Sequence, residues 1–190
     1  MWAVRHPASG YVQGINDLVV PFYWVFFVDG EGDGARSAED AEADVYWCLD
    51  RLLSNLQDNY TVGQSGIFRK IGDLRMIIAQ TNPQLARHLD AQGVDYNAFA
   101  FRWLNCLLVR EFPLQSCLRL WDTLLAEGEF SRFHVCLCAA LLLKVGRSLV
   151  HWDFQQCMIA LQSPPTATYT VGEVEELLAE GFILHSIYKP

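Results

Sequence analysis

The stretch SRFHVCLCAALLLKVGRSLV, residues 131–150, is apolar on almost every side when it is drawn as a helix. A surface helix carries one apolar stripe and one polar face, whereas a helix that is apolar all round is buried. The stretch therefore predicts a central helix that other elements must surround. The longest apolar runs, residues 18–28 and 135–143, are well short of the ~20 residues that a membrane-spanning helix needs, which favours a soluble protein.

The segments around this stretch show apolar residues at three- and four-residue steps, which is typical of amphipathic helices. NAFAFRWLNCLLVREF (97–112) is predicted to form one helix, and LQSCLRLWDTLLAEG (114–128) a second helix with Gly128 as its C-cap. TVGEVEELLAEGFILHSIY begins with Thr170 and has Glu173 three residues later, the spacing of a capping box. Further helices are predicted over residues 38–57, 64–80, 83–92 and 152–162.

Signals for β-strands are weak, because no Asn-Gly hairpin turn separates alternating runs. The predicted helices differ too much in length and pattern to form a repeat array. A hydrophobic content of 52% in 190 residues requires a sizeable core. The sequence therefore predicts an all-α, multi-helix domain over residues 1–190.

The charge and the first residues exclude several classes of protein. A formal net charge of -8 argues against a nucleic-acid partner, which would require clustered lysine and arginine. The opening MWAVRHP has no apolar signal-peptide region. No glycine-rich phosphate loop with a following Lys-Ser/Thr occurs. Ser65 in GQSGIF lacks the spacing of a nucleophile elbow and is predicted to begin a helix.

The six cysteines lie mostly in apolar, helix-like surroundings, which predicts reduced, buried thiols. HVCLC brings His134, Cys136 and Cys138 together in sequence, but it lacks the paired spacing of a zinc site, so core residues are favoured. We predict no metal site.

An acidic, glycine-rich segment spans residues 29–40 and partly matches a calcium-binding loop. Asp29, Glu31, Asp33 and Gly34 fall at loop positions one, three, five and six, but Asp40 replaces the final bidentate glutamate. A solvated linker is therefore the favoured interpretation, with calcium binding as the alternative.

The stretch HPASGYVQGIND, residues 6–17, places Gln13 between Gly10 and Gly14 and leads into the apolar run. Glycines there permit backbone conformations and close approaches that other residues do not.

Four segments of the chain resemble the same protein family: GYVQGINDLVVP, DNYTVGQSGIFRKI, FAFRWLNCLLVREFPLQSCLRLWDTLLAEG and FSRFHVCLCAALLL. Together they resemble the TBC domain, the catalytic domain of Rab GTPase-activating proteins, and are most similar to the TBC domain family member 22 group. The resemblance covers essentially the whole chain.

The resemblance implies a dual-finger mechanism, in which a glutamine from a YxQ motif and an arginine from an IxxDxxR motif enter the nucleotide site of a GTP-bound Rab-family small GTPase. The YxQ motif is Tyr11-Val12-Gln13, so Gln13 is expected to be the catalytic glutamine finger, with Tyr11, Gly14, Asn16 and Asp17 as partner-binding residues. GTP and Mg²⁺ would be held by the partner, so the chain needs no cofactor of its own. It would contribute residues in trans at the cytosolic face of endomembranes, in the cytoplasm.

Structural alternatives remain for these residues. Gln13 could cap a helix start, Tyr11 could support Gln13 rather than touch the partner, and Asn16 and Asp17 could hold the turn through hydrogen bonds to the backbone.

The chain departs from the family pattern because no IxxDxxR motif occurs in it; KIGDLRM, around Asp73, has the wrong spacing. We therefore expect the C-terminal portion of a TBC domain with its N-terminal helices missing, either as a truncated form or as a natural half-domain. Loss of an arginine finger costs roughly 10³–10⁵ in rate, so we expect weak stimulation at best. Missing helices would expose apolar surface and allow self-association. The alternative function is a non-catalytic Rab-binding scaffold.

Overall fold

Helices form the secondary structure of residues 1–28 and 37–188, the parts of the chain that the computed structural model describes, and no strand occurs among them. The α-helices in chain order are α1 (Trp2–Arg5), α2 (Val19–Tyr23), α3 (Ala38–Ser54), α4 (Ser65–Thr81), α5 (Pro83–Ala91), α6 (Asn97–Asn105), α7 (Leu114–Ala126), α8 (Phe130–Leu149), α9 (Phe154–Gln162) and α10 (Val171–Ile187). The 3-10 helices Ile15–Leu18 and Gln57–Asn59 and a π-helical turn, Trp24–Val28, complete the description. The prediction of an all-α fold is confirmed.

The chain divides into two units, Met1–Ile67 and Phe68–Pro190, and the boundary falls inside α4. In the first unit α2 packs against α3. The side chains of Leu18, Leu53 and Tyr60 are fully buried there. α4 begins at Ser65, as the sequence predicts.

In the second unit α8 is the central helix, as its all-round apolar sequence predicts. Its residues are buried without a break from Phe133 to Leu142. Helices α6, α7, α9 and α10 all contact it, and α10 makes the most extensive of these contacts. Within the described parts of the chain, no helix combines the length and the apolar character needed to cross a bilayer.

α8 and α10 approach closely where Gly181 of α10 faces Leu137 of α8. A Cβ atom built on Gly181 would lie 2.6 Å from Leu137 Cδ2 and 3.3 Å from its Cγ. Leu137 is fully buried, so its side chain can move only by displacing its neighbours. A residue without a Cβ is therefore required at this contact.

We predict that Gly181→Val lowers the free energy of unfolding by about 2 kcal/mol, because overpacking a filled core typically has that cost. Urea unfolding measures the change. Gly172→Val is the matched control on the same helix, since its Cβ would meet nothing nearer than Thr170 Oγ1 at 3.9 Å. Equal effects of the two substitutions would contradict this account of the helix contact.

α6 ends at Asn105, so the prediction of one helix over 97–112 is wrong. Leu107 and Leu108 have φ angles of 49° and 62°, in the left-handed region that leucine rarely adopts. Both side chains are fully buried, and the indole Nε1 of Trp121 donates to the Leu107 carbonyl at 3.0 Å. Tertiary packing thus overrides the local helical preference.

Other helix ends differ from the prediction by a few residues. α7 ends at Ala126 and its C-cap is Glu127 in an extended conformation, so Gly128 is not the C-cap. α9 begins after Asp153, which forms a capping box with Gln156. The predicted capping box of Thr170 and Glu173 at the start of α10 is confirmed.

The buried turn after α6 is fixed by an ion pair between α6 and the segment that follows. Arg102 donates from Nε and Nη2 to the two carboxylate oxygens of Glu111, each at 2.7 Å. The Glu111 side chain is only 1% exposed, and burial raises the pKa of its carboxyl group while Arg102 lowers it. The same guanidinium donates to the carbonyl of Gln162, and the Thr166 hydroxyl donates to the carbonyl of Glu111. Arg102 therefore joins α6 to the segment that follows it and to the end of α9.

His134 lies inside α8 with no exposed surface, and its Nε2 is 3.7 Å from Cys138 Sγ. Burial, together with a smaller effect of the Lys70 charge, lowers the pKa of His134 to about 3. In the unfolded chain the imidazole takes up a proton near pH 6.5. The unfolded state therefore binds more protons than the folded state below that pH, and stability falls as the pH falls.

We predict that His134→Leu removes part of the acid sensitivity of this fold. Between pH 7 and pH 5 the unmodified chain should lose ~2 kcal/mol more of its unfolding free energy than the variant does. Urea unfolding at both pH values checks the difference. A loss of the same size in both proteins would show that His134 is not the group responsible.

Candidate functional site

Gln13 lies in a tight turn between α1 and the first 3-10 helix. The Ile15 amide donates to the Val12 carbonyl at 3.2 Å and closes the turn, so Gln13 and Gly14 are its two central residues. Gly14 has φ 105° and ψ -17°, the conformation that a type II turn requires at its third position. The Gln13 side chain is exposed, whereas Gly14 and Ile15 are buried. The turn therefore exposes the side-chain amide of Gln13, while the backbone that follows it is buried.

The sequence before the turn is folded back by a second glycine. The Gly10 amide donates to the His6 carbonyl at 2.8 Å, and Gly10 has φ 63°. Because L-residues with a side chain are strained at such angles, the two glycines of the motif serve the backbone conformation on either side of Gln13.

Tyr11 and Asn16 join across the turn. The Tyr11 hydroxyl donates to Asn16 Oδ1 at 3.0 Å, and Tyr11 remains 65% exposed. The predicted bonding of Asn16 to the backbone is thus replaced by a bond to a side chain. Asp17 lies in the 3-10 helix, half-buried, and its amide donates to the Gly14 carbonyl at 3.1 Å. The structure brings all five predicted site residues together around one turn.

The N-cap residue of the 3-10 helix Ile15–Leu18 is Gly14, and Gln13 stands one position before it. The alternative that the Gln13 side chain caps its own backbone at the helix start stays a prediction.

α1 is held to α3 by residues that the sequence analysis did not identify. Trp2 Nε1 donates to Asp50 Oδ1 at 3.0 Å, and His6 Nε2 lies 3.5 Å from the same oxygen. The Trp2 and His6 rings stack with centroids 4.3 Å apart. The spacing of Trp2 and His6, four residues apart, is a weak signal that they share a helix face. Nothing local indicates Asp50, which is 48 residues away from Trp2.

The cysteines do not form a second candidate site. All six are free, and all but Cys48 are buried, as predicted. Burial raises the pKa of the Cys117 thiol to about 12 and that of Cys136 to about 11, so neither is an activated nucleophile. A search of residues 1–28 and 37–188 finds no group of three or more metal-ligating side chains. Residues 29–36 of the calcium-loop pattern lie outside the described residues, and Asp40 lies in the first turn of α3.

The model of the Rab-GTPase-TBC domain matches residues 1–149 of the chain. The chain belongs to this family, which confirms the resemblance seen in its YxQG motif and its helices.

Individual relatives agree with the assignment. The chain is 45% identical over 201 residues to the GTPase-activating protein gyp1 of Schizosaccharomyces pombe, covering 99% of this chain and 39% of that protein. It is 45% identical over 197 residues to human TBC1 domain family member 22A, covering 97% of this chain and 38% of that protein. The chain thus spans about two fifths of the length of these curated relatives.

Solved structures show the same fold. The crystal structure of the Ypt/Rab-GAP domain of Gyp1p superposes with a TM-score of 0.91 at 42% identity, covering 99% of this chain and 63% of that chain. The Chlamydomonas flagellar RabGAP TBC domain superposes with a TM-score of 0.72 at 21% identity, over 95% of this chain and 55% of that chain, and supports the fold alone.

We predict that Gly14→Ala destabilises the turn that carries Gln13, because a Cβ at φ 105° is strained by about 1–2 kcal/mol. Urea unfolding measures the loss. Hydrogen exchange locates it, because the Asp17 amide should exchange faster. Gly128→Ala is the control, since a Cβ there meets nothing within 4 Å. Unchanged exchange at Asp17 would contradict a structural role for Gly14.

Proposed function

We propose that this chain is part of a GTPase-activating protein for GTP-bound Rab-family GTPases and that Gln13 acts on the nucleotide held by the partner. The observation that carries the proposal is the exposed Gln13 on a backbone turn fixed by Gly14, within the YxQ motif of a TBC-family chain. The names of the relatives support it, since gyp1 is called a GTPase-activating protein. The proposal treats residues 1–190 as one segment of a TBC domain.

The chemistry of an amide fits this role. Hydrolysis of GTP requires a water molecule oriented for in-line attack on the γ-phosphoryl group. A glutamine amide can accept a hydrogen bond from that water with its oxygen and donate to a phosphate oxygen with its nitrogen. The nucleotide and Mg²⁺ belong to the partner, and the chain supplies no cofactor. Its contribution is a side chain delivered in trans at the cytosolic face of endomembranes.

The surroundings of Gln13 would form the contact with the GTPase. Tyr11 and Asn16 are exposed on the same turn, and their mutual hydrogen bond limits the conformations that the turn can adopt. A side chain that is already positioned loses less entropy when it enters a partner's site. We therefore propose that Tyr11, Gly14, Asn16 and Asp17 shape the surface that receives the GTPase.

The charge that develops on the phosphoryl oxygens requires a second group. An arginine finger contributes roughly 10³–10⁵ in rate, and the 190 residues contain no IxxDxxR motif. Full stimulation would then require an arginine from outside this sequence. A non-catalytic Rab-binding function on the same helices is the alternative.

We also propose that the chain self-associates through exposed apolar side chains, such as that of Trp47, which is 62% exposed.

We predict that Gln13→Ala lowers single-turnover GTP hydrolysis by about 10²-fold, the usual cost of losing one preorganised polar group at a reacting centre. The assay uses a panel of Rab GTPases with a chimaera that adds the IxxDxxR segment of a relative. The 190-residue chain is tested for complex formation with the same GTPases carrying GDP and aluminium fluoride. Gln13→Ala should weaken that complex.

Gln84→Ala is the matched control, because Gln84 is an exposed glutamine on α5, outside the turn. Equal activity of the chimaera before and after Gln13→Ala would overturn the finger role. Binding of GTP-loaded Rab without stimulation by the chimaera would favour the scaffold alternative.

A further inference from the structure

A cavity of about 540 Å³ lies in the second unit, between α4, α8 and the end of α10. Its size falls within the range of pockets that hold small molecules. One part of its wall is apolar and is formed by Met76, Ile77, Val135 and Ile187. It shares no residue with the Gln13 turn, so it is a separate feature of the molecule.

The polar part of the wall is cationic. Arg69, Lys70 and Arg132 line it, and among the described residues of the lining Asp73 is the only one with a carboxylate. The whole chain carries a formal charge of -8, so this concentration of positive charge runs against the composition. A cationic site with an apolar wall attracts anions and excludes cations.

Arg132 is the residue whose donors are not satisfied. Both of its Nη atoms are buried and have no hydrogen-bond partner among the residues that the structure describes. Nη1 lies 3.6 Å from Glu129 Oε2, and His185 Nε2 lies 3.1 Å from the same oxygen. Buried donors without partners are costly, and a guanidinium presents its donors in a planar fork that matches phosphate and carboxylate. The Arg132 side chain as a whole is 23% exposed, and an anion in the cavity would satisfy these donors once the guanidinium turns toward it.

We propose that this cavity binds a small amphiphilic anion, with a phosphate or carboxylate head on Arg132 and an apolar body against Met76, Ile77 and Ile187. The inference goes beyond the proposed function, because binding here involves no GTPase and no residue of the turn. The cationic lining favours a negatively charged ligand, and the apolar wall favours a ligand with an apolar part, which an inorganic anion lacks.

The test is a titration of the 190-residue chain with octyl phosphate, octanoate, octanol and inorganic phosphate, each below its micelle concentration. Calorimetry gives the affinity, and NMR of labelled methyl groups gives the location. We expect saturable binding of an octyl anion at a single site, with shifts at Met76, Ile77 and Ile187. Octanol and inorganic phosphate should each bind at least about tenfold more weakly, since each lacks one half of the recognition.

Two variants connect the binding to the cavity. Arg132→Gln should weaken the octyl anion by about 10- to 100-fold, the usual effect of losing a charge-assisted pair. Arg147→Gln is the matched control, because Arg147 is an exposed arginine on the same helix that does not line the cavity. Met76→Trp fills the cavity from its exposed side and leaves the charges in place. If Arg132→Gln does not fold, Met76→Trp provides the test: loss of binding supports the cavity as the site, and unchanged binding contradicts it.

Several results would overturn the proposal: no saturable binding, equal affinity for octanol, equal affinity for inorganic phosphate, or equal losses in the Arg132 and Arg147 variants. The comparison of octyl phosphate with octanoate identifies the head group. Sedimentation with phosphatidylcholine vesicles, with and without phosphatidic acid, distinguishes a membrane lipid from a free amphiphile. Either source supports the cavity as the binding site, provided that the binding depends on Arg132.

Discussion

Burial of α8 without a break from Phe133 to Leu142 forces the second unit to be built from helices that surround this stretch. An apolar helix cannot leave any face in water without exposing a large hydrophobic patch. α8 is therefore contacted by α6, α7, α9 and α10. The contact between Gly181 and Leu137 sets how closely α10 can approach α8. Arg102 on α6 pairs with Glu111, whose side chain is buried. Packing around one helix thus dictates where the remaining backbone can turn.

In the first unit the Gln13 side chain is exposed on a tight backbone turn. The segment around Gln13 carries several local hydrogen bonds: the Gly10 amide donates to the His6 carbonyl, the Ile15 amide donates to the Val12 carbonyl, and Tyr11 bonds to Asn16. Asp50 on α3 receives Trp2 and His6 from α1 and so connects the turn to a long helix. In the role that we propose for Gln13, this arrangement would limit the backbone conformations of the turn before the two proteins meet.

Helix existence could be predicted from the sequence, but helix ends often could not. The capping box of Thr170 and Glu173 was readable because its two hydrogen bonds join residues three apart. The end of α6 was not readable, because Leu107 and Leu108 adopt left-handed angles only where complete burial and the Trp121 hydrogen bond compensate for them. Gly128 is not the C-cap of α7, because the helix ends at Ala126 and its C-cap, Glu127, has an extended conformation. Local propensity is decisive only where no distant residue competes with it.

By itself the sequence determined the all-α class, the central position of α8 and the motif that contains Gln13, because periodicity, capping and short motifs depend on residues close together in the chain. The tertiary structure alone decided which charges are paired, which glycines are contacts and where a cavity opens. Asp50 meets Trp2, Arg102 meets the end of α9, and Arg132 lines the cavity together with α4 and α10. These relations join residues tens of positions apart, and no pattern of neighbouring side chains encodes a distance that only the packed helices fix.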